Sequence, residues 1–337
     1  MLRCIKLSID ELKNAIIEDI RKTCEEKNVV VAFSGGMDST LVSVLTVEAL
    51  GKERVELVNV CFGPFAYSNS ISKVLEISSK IGKSVTFLDG IKAQWEIWKH
   101  GPSCNLCTKK IKFGMVSSYA GNRLILGGAN KSDSWGQYGI KLSGNSYSPL
   151  FNLTKSDITQ LLKSYGLEPR SLKIGENKSS KGREGCKLKH LLKMMAVPRF
   201  HGKAVALSNE LLLDFLQSKN IDYSMANVKI IGPLKRNMAL VNVLPHLKDV
   251  EKEEFKEILR SLDVINDVYF VEKPIVLFAK VNPGIYVDDK AKYWLEKGRL
   301  QREFAAPIRM EWSVSKNNKL RTFHIVNFKE VDDFQAL

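Results

Sequence analysis

Ser34-Gly35-Gly36-Met37-Asp38-Ser39-Thr40 follows the apolar run VVVAF (29–33) and opens a stretch with helical patterning. Anion binding is the chemistry such a segment offers. Two adjacent glycines reach backbone angles closed to other residues and let a ligand come close to the chain. The amides that follow, with a helix N-terminus behind them, form a cradle for phosphate. The hydroxyls of Ser34, Ser39 and Thr40 can donate to phosphate oxygens. Asp38 adds negative charge where a phosphate would sit. That makes sense if it engages Mg2+, directly or through water, or if it caps the loop. Judged by its glycines alone, the segment is an ordinary strand–turn–helix. A Walker A lysine motif and a GxGxxG are both absent, which disfavours P-loop NTPases and Rossmann dehydrogenases.

The full string resembles the SGGxDS loop of the PP-loop ATP pyrophosphatase superfamily, and the resemblance extends over about residues 28–165. It implies an enzyme that splits ATP into AMP and pyrophosphate to activate a substrate. The loop would hold the pyrophosphate of ATP, with adenine near the end of the second strand at Val60, Cys61 and Phe62. A second match is LGGANKSD (126–133), where Gly128, Asn130 and Asp133 take the positions of a Gly-x-Asn-x-x-Asp-like run and Asp133 becomes a metal or ribose contact. Taken by itself, that run is a polar loop at a strand end.

Cys104-Asn-Leu-Cys107 places two thiols close together at the mouth of a helix, and Cys186 lies far along the chain. Three readings compete. The three thiols could hold three irons of a [4Fe-4S] cluster and leave the fourth iron open to carry hydrosulfide. This arrangement resembles the three-cysteine tRNA thiolation enzymes among the PP-loop proteins. The three thiols could instead bind Zn2+ together with His190, four residues after Cys186. Or Cys104 and Cys107 could be a redox pair or persulfide relay. The phosphate loop beside them favours the first. A substrate carbonyl oxygen attacks the α-phosphorus of ATP, pyrophosphate leaves, and cluster sulfide displaces AMP to give a thiocarbonyl. The expected protein is therefore an ATP-dependent sulfurtransferase with ATP, Mg2+ and an iron-sulfur cluster, with Asp38 and Cys186 catalytic. Its alternatives are a PP-loop sulfurtransferase on a small cofactor, a PP-loop ligase or amidotransferase with structural zinc, and a non-catalytic nucleotide- or RNA-binding protein. No zinc-finger pair stands at either end, as some tRNA thiolases of the family carry.

The chain of 337 residues carries a net charge of +14. Ten Lys or Arg against two Glu lie between Arg170 and Lys203. A clustered excess points to a polyanion more strongly than a diffuse one. Arg170, Lys173, Lys178, Lys181, Arg183, Lys187, Lys189, Lys193, Arg199 and Lys203 are candidates for holding RNA backbone phosphates, tRNA above all. The plain alternative is a solvated basic loop. Lys109, Lys110 and Lys112 could neutralise phosphate charge or be solvated helix residues. Trp294, Trp312, Tyr269 and Tyr286 could stack bases, with core packing the commoner use of such residues.

The elements that must position these residues follow from periodicity. Residues 8–27 read as a helix opened by a Ser8/Glu11 capping box. Strands at 29–33, 55–62, 84–89 and 123–128 alternate with helices at 38–50, 68–81, Cys107–Tyr119 and 153–165, the last capped by Thr154. This alternation predicts a parallel sheet with helices on both faces. A polar Gly/Ser/Lys-rich loop (173–186) leads to helical patterns at 187–196 and 208–219. Beyond about residue 225 come strand-like runs at 228–234, 238–245, 268–281, 308–314 and 322–328, helices at 250–262 and 289–303, and a hairpin turn at 315–319. The expected organisation is an N-terminal helix (1–27), an ATP-binding α/β domain (28–170), a basic segment carrying the third cysteine (171–224) and a smaller α+β domain (225–337). The size suffices for a core without staples. The six cysteines do not suggest a disulfide framework, and Cys4, Cys24 and Cys61 read as buried thiols. The chain lacks a stretch of ~18 apolar residues and a signal-like N-terminus, so a soluble, cytoplasmic protein with no membrane partner is expected. A homodimer is compatible with the sequence, which does not name the sulfur donor.

Overall fold

A computed structural model describes residues 8–168 and 186–334. These divide into two compact units. One contains 8–61, 69–90 and 108–168, the other 62–68, 91–107 and 186–334. Cys4, Arg170, Lys173, Lys178, Lys181 and Arg183 lie outside the described residues.

The first unit is built on six strands: β1 (Val29–Ala32), β2 (Val55–Cys61), β3 (Val85–Asp89), β4 (Leu124–Leu126), β5 (Leu142–Ser143) and β6 (Ser146–Tyr147). Their order is β3-β2-β1-β4-β6-β5. All neighbours run parallel except the β5/β6 pair. Successive residues on a strand face opposite ways, and the core divides accordingly. Val29, Val31 and Leu57 join one cluster with residues of the helices Ile9–Cys24, Met37–Leu50, Ser68–Ile81 and Lys155–Ser164. Val30, Val58 and Ile125 face the other way, onto Val116 and Ala120 of the helix Gly114–Ala120. Each fully buried aliphatic side chain of this kind stabilises the fold by roughly 1.5–3 kcal/mol. Helices therefore cover both faces, as the strand–helix alternation predicts.

The order reverses direction between β1 and β4, since β2 and β3 continue to one side of β1 and β4 and β6 to the other. Ligands of open α/β sheets bind at such a switch point, beyond the carboxyl ends of the strands. Ser34–Thr40 leaves β1 at that end.

The second unit holds two three-stranded sheets. In one, β7 (Met225–Ile231), β8 (Met238–Leu244) and β9 (Asp267–Phe270) lie in that order. In the other, β10 (Ile275–Val281) is central, with β11 (Ile308–Val314) parallel on one side and β12 (Phe323–Glu330) antiparallel on the other. Residues 315–319 therefore do not close a hairpin between adjacent strands, because β10 inserts between β11 and β12. The helical pattern at 187–196 gives only a 3-10 turn, Lys187–His190. Beyond it, Leu192 donates its N–H to Ile230 (3.0 Å) and accepts from Ile325 (2.9 Å), so this stretch joins β7 to β12. Tertiary pairing overrides the local periodicity. A helix the patterning did not place, Ile91–Trp98, also belongs to this unit.

Candidate functional site

The loop after β1 is held by its own hydroxyls. Gly35 has φ of 70°, a conformation that favours glycine. Ser34 and Ser39 lie oxygen to oxygen at 3.0 Å, and the Ser34 N–H donates to Ser39 Oγ at 3.1 Å. Ser39 Oγ lies 3.1 Å from the Gly36 carbonyl, and the Gly36 N–H reaches Ser34 Oγ at 3.4 Å. Gly36 is the N-cap of the 14-residue helix Met37–Leu50 and supplies no side chain to its first amides. That end is the partly positive pole of the helix and suits a phosphate. Thr40 is fully buried, and its Oγ1 has no hydrogen-bond partner. A buried hydroxyl left without one costs about 1–3 kcal/mol, so an acceptor supplied by a ligand would satisfy it.

Asp38 is the centre of the charge arrangement. Lys155 places Nζ 2.6 Å from each of its carboxylate oxygens. Lys155 is the first residue of its helix, behind a Thr154/Asp157 capping box. A cation in the first turn opposes the helix dipole, a cost that a nearby anion offsets. Sequence alone does not single out Lys155; the signal it offers is this cation in the first turn of a helix. Gly128, beyond β4, lies against the same loop. A Cβ there would come within 2.7 Å of Asp38 Cβ and 3.1 Å of the Ser39 nitrogen. The second match thus meets the first through a contact that requires glycine.

Asn130 and Asp133 build the turn that follows. Buried Asn130 donates to the Gly128 carbonyl at 3.0 Å and accepts from Ser132 N–H and Oγ. Asp133 accepts from the Asn130 N–H at 2.8 Å and the Gly136 N–H at 3.2 Å. Both carboxylate oxygens therefore serve the turn. Val60 and Cys61 end β2, paired with Leu88 and Asp89 of β3. Phe62, which follows, is buried in the second unit.

Cys104, Cys107 and Cys186 all belong to the second unit. The amide nitrogen of buried Gln94 lies 3.7 Å from Cys107 Sγ and 3.4 Å from Cys186 Sγ. Cys104 Sγ instead takes a hydrogen bond from Arg299 at 3.2 Å. Among the described residues, no group of three or more His, Cys, Asp or Glu is placed to hold a metal ion. The three-thiol iron site expected from the spacing is thus not assembled, because one sulfur faces Arg299 while the other two share an amide. Zinc with His190 fails for a further reason. His190 Nδ1 lies 2.9 Å from Lys229 Nζ and its Nε2 lies 3.2 Å from Tyr67 Oη, so both ring nitrogens are engaged. Burial, reinforced by Lys229, holds the His190 pKa well below the usual value, so it is neutral.

The described basic residues after Cys186 are largely used inside the unit. Lys187 pairs with Glu210 and Lys189 with Glu303. Lys203 pairs with Asp263 at 2.8 Å. Lys193 is fully buried and donates to the carbonyls of Pro233 (2.6 Å) and Arg236 (2.7 Å). Burial brings its pKa down to about 7. Of the aromatics considered for stacking, Trp294 is 59% exposed while Trp312 packs on the core.

The NAD synthase family model matches residues 8–175. The NH(3)-dependent NAD(+) synthetase of Pyrococcus furiosus is 26% identical over 188 residues, covering 52% of this chain and 70% of that protein. The protein of the same name from Methanosarcina acetivorans is 50% identical over a short stretch of 52 residues, 14% of this chain and 20% of that protein. A GMP synthase [glutamine-hydrolyzing] of Chlorobium luteolum is 37% identical over 73 residues, 22% of this chain and 14% of that protein. These similarities overturn the tRNA sulfurtransferase expectation. The family model and these relatives are synthetases, named for NAD+ or GMP formation with ammonia or glutamine. The iron-sulfur and thiolation readings fall with that expectation.

Proposed function

We infer, for a chain that belongs to the PP-loop ATP pyrophosphatase superfamily, that it is an ATP-dependent amide-forming ligase of the NAD synthetase kind. A carboxylate oxygen of the acid substrate attacks the α-phosphorus of ATP, the bond to pyrophosphate breaks, and an acyl adenylate forms. Ammonia then attacks the acyl carbon, AMP leaves, and the nitrogen loses a proton to give the amide. A carboxylate oxygen is too poor a leaving group to be displaced without such activation.

The observation that carries this reading is the loop itself. The start of the Met37–Leu50 helix, whose N-cap Gly36 makes no side-chain bond, and the unsatisfied Thr40 hydroxyl suit a departing pyrophosphate. Lys155 adds the positive charge that a triphosphate calls for. Asp38 is the residue that fits Mg2+, which when bound would neutralise phosphate charge. Lys155 and Asp38 hold each other in position until a nucleotide arrives, and phosphate oxygens would compete with Asp38 for the ammonium group.

The test is to incubate the full chain with ATP, Mg2+, ammonium and the carboxylic-acid counterpart of NAD+, and to quantify AMP, pyrophosphate and NAD+. Equal amounts of the three support the reading. Pyrophosphate release that depends on ammonium but yields no NAD+ would keep the ligase and move the search to other acids. No pyrophosphate with a panel of carboxylates would overturn it.

A further inference from the structure

The thiols of the second unit have no part in that chemistry, yet their placement is specific. The helix Ile91–Trp98 carries Gln94 between two sulfurs that lie 79 residues apart in sequence. That helix is fixed to the chain beyond Cys186. Trp95 Nε1 donates to the Met195 carbonyl at 3.2 Å, and Met195 N–H donates to the Trp98 carbonyl at 3.0 Å. Cys186 begins the Lys187–His190 turn, which Lys187 ties to Glu210 and to the Pro64 carbonyl. Both thiol-bearing segments thus meet one buried amide. Cys107 is buried and Cys186 partly accessible. The Gln94 carbonyl oxygen is buried with no hydrogen-bond partner. An N–H donor on a sulfur favours the thiolate over the thiol.

We propose that Cys107 and Cys186 form a redox-active dithiol that exchanges with small-molecule disulfides and closes into an intrachain disulfide. The Cys186 thiolate, the accessible one, attacks a sulfur of the small disulfide. That S–S bond breaks, one small thiolate leaves, and a mixed disulfide remains on Cys186. The Cys107 thiolate then attacks Cys186 Sγ and releases the second small thiolate. The two protons lost by the cysteines end on the two released thiols. The dithiol is oxidised by two electrons and the small disulfide is reduced. Closure requires the Gln94 amide to leave the gap, since bonded sulfurs stand ~2 Å apart, and no partner restrains its carbonyl oxygen. Cys104 takes no part, because its sulfur faces Arg299. Gln94 is a positioning residue whose amide nitrogen faces both sulfurs.

The experiment uses the full chain, reduced and free of air, equilibrated over a range of reduced and oxidised glutathione. Thiols are then blocked, and the chain is digested and analysed by mass spectrometry. The expected product is a Cys107–Cys186 cross-linked peptide, formed equally in Cys104→Ser and lost in Cys107→Ser, which stops at a glutathione adduct on Cys186. Alkylation of Cys186 by iodoacetamide at neutral pH should slow roughly tenfold in Gln94→Leu, the scale of one charge-assisted hydrogen bond. A Cys104–Cys107 disulfide as the sole product, or glutathione adducts without a cross-link at every ratio in the unaltered chain, would overturn the proposal. An unchanged alkylation rate in Gln94→Leu would remove the role given to that amide. None of these readouts depends on ATP turnover.

Discussion

Lys155 Nζ lies 2.6 Å from both carboxylate oxygens of Asp38, a contact across 117 residues of sequence that puts a cation over the phosphate loop. If this ammonium group binds the nucleotide phosphates, Lys155→Met should lower the rate of adenylation by 10²–10³-fold, the ~3–4 kcal/mol typical of a lost charge-stabilising donor. The folded state should persist, since both groups are partly open to solvent. Steady-state kinetics beside a thermal melt separate the two effects.

Gly128 offers a steric test of the same neighbourhood. In Gly128→Ala the new methyl group would meet Asp38 Cβ at 2.7 Å and its carbonyl carbon at 3.0 Å, both on the loop. The loop must shift, at a cost of about 1–3 kcal/mol in stability. Nucleotide affinity measured by calorimetry should fall in step. Gly127→Ala is the control, since a Cβ there meets nothing within 4 Å.

Thr40→Val removes a hydroxyl that has no partner and preserves the side-chain shape. Stability should hold or rise slightly, because an unsatisfied buried group disappears. ATP binding should weaken by roughly 5- to 10-fold if that hydroxyl donates to a phosphate, a loss of ~1–1.5 kcal/mol. Equal ATP affinities in the two proteins would take Thr40 out of the site.

These tests concern residues the sequence exposed unequally. The loop was legible because VVVAF followed by Ser-Gly-Gly leaves few alternatives to a strand and a tight turn. β1 to β4 and their helices were likewise readable from periodicity. Lys155 was not, because a lysine near a capping box looks like an ordinary surface residue until its partner is seen. The helix Ile91–Trp98 escaped although Ile91, Trp95 and Trp98 recur at helical spacing; it is only eight residues long. The 187–196 stretch misled in the opposite direction. Its leucines suit a helix, but Leu192 pairs with β7 and β12. In the described part of the basic segment, burial was likewise not legible. Composition counts Lys187, Lys189 and Lys193 as surface, whereas folding places them against Glu210, Glu303 and backbone carbonyls.

The second unit should be acid-labile. Burial lowers the pKa of His201 and of His324 to about 4, and that of His190 well below its usual value. Each folded pKa lies below the unfolded one, so the unfolded chain binds more protons in between. The stability these histidines contribute as neutral groups is whole above pH ~6.5 and is lost as pH falls from there towards 4, by up to ~3 kcal/mol each for His201 and His324. A melting temperature that declines steeply over this window is expected, with a shallower decline in His324→Gln.

Attack at the α-phosphorus is the step that the phosphate loop, Asp38 and Lys155 would serve. The direct measurement is to supply ATP labelled in its γ-phosphate, together with ammonium and the acid substrate, and to separate the products. Labelled pyrophosphate in step with AMP is the predicted result. Labelled orthophosphate accompanied by ADP would contradict it.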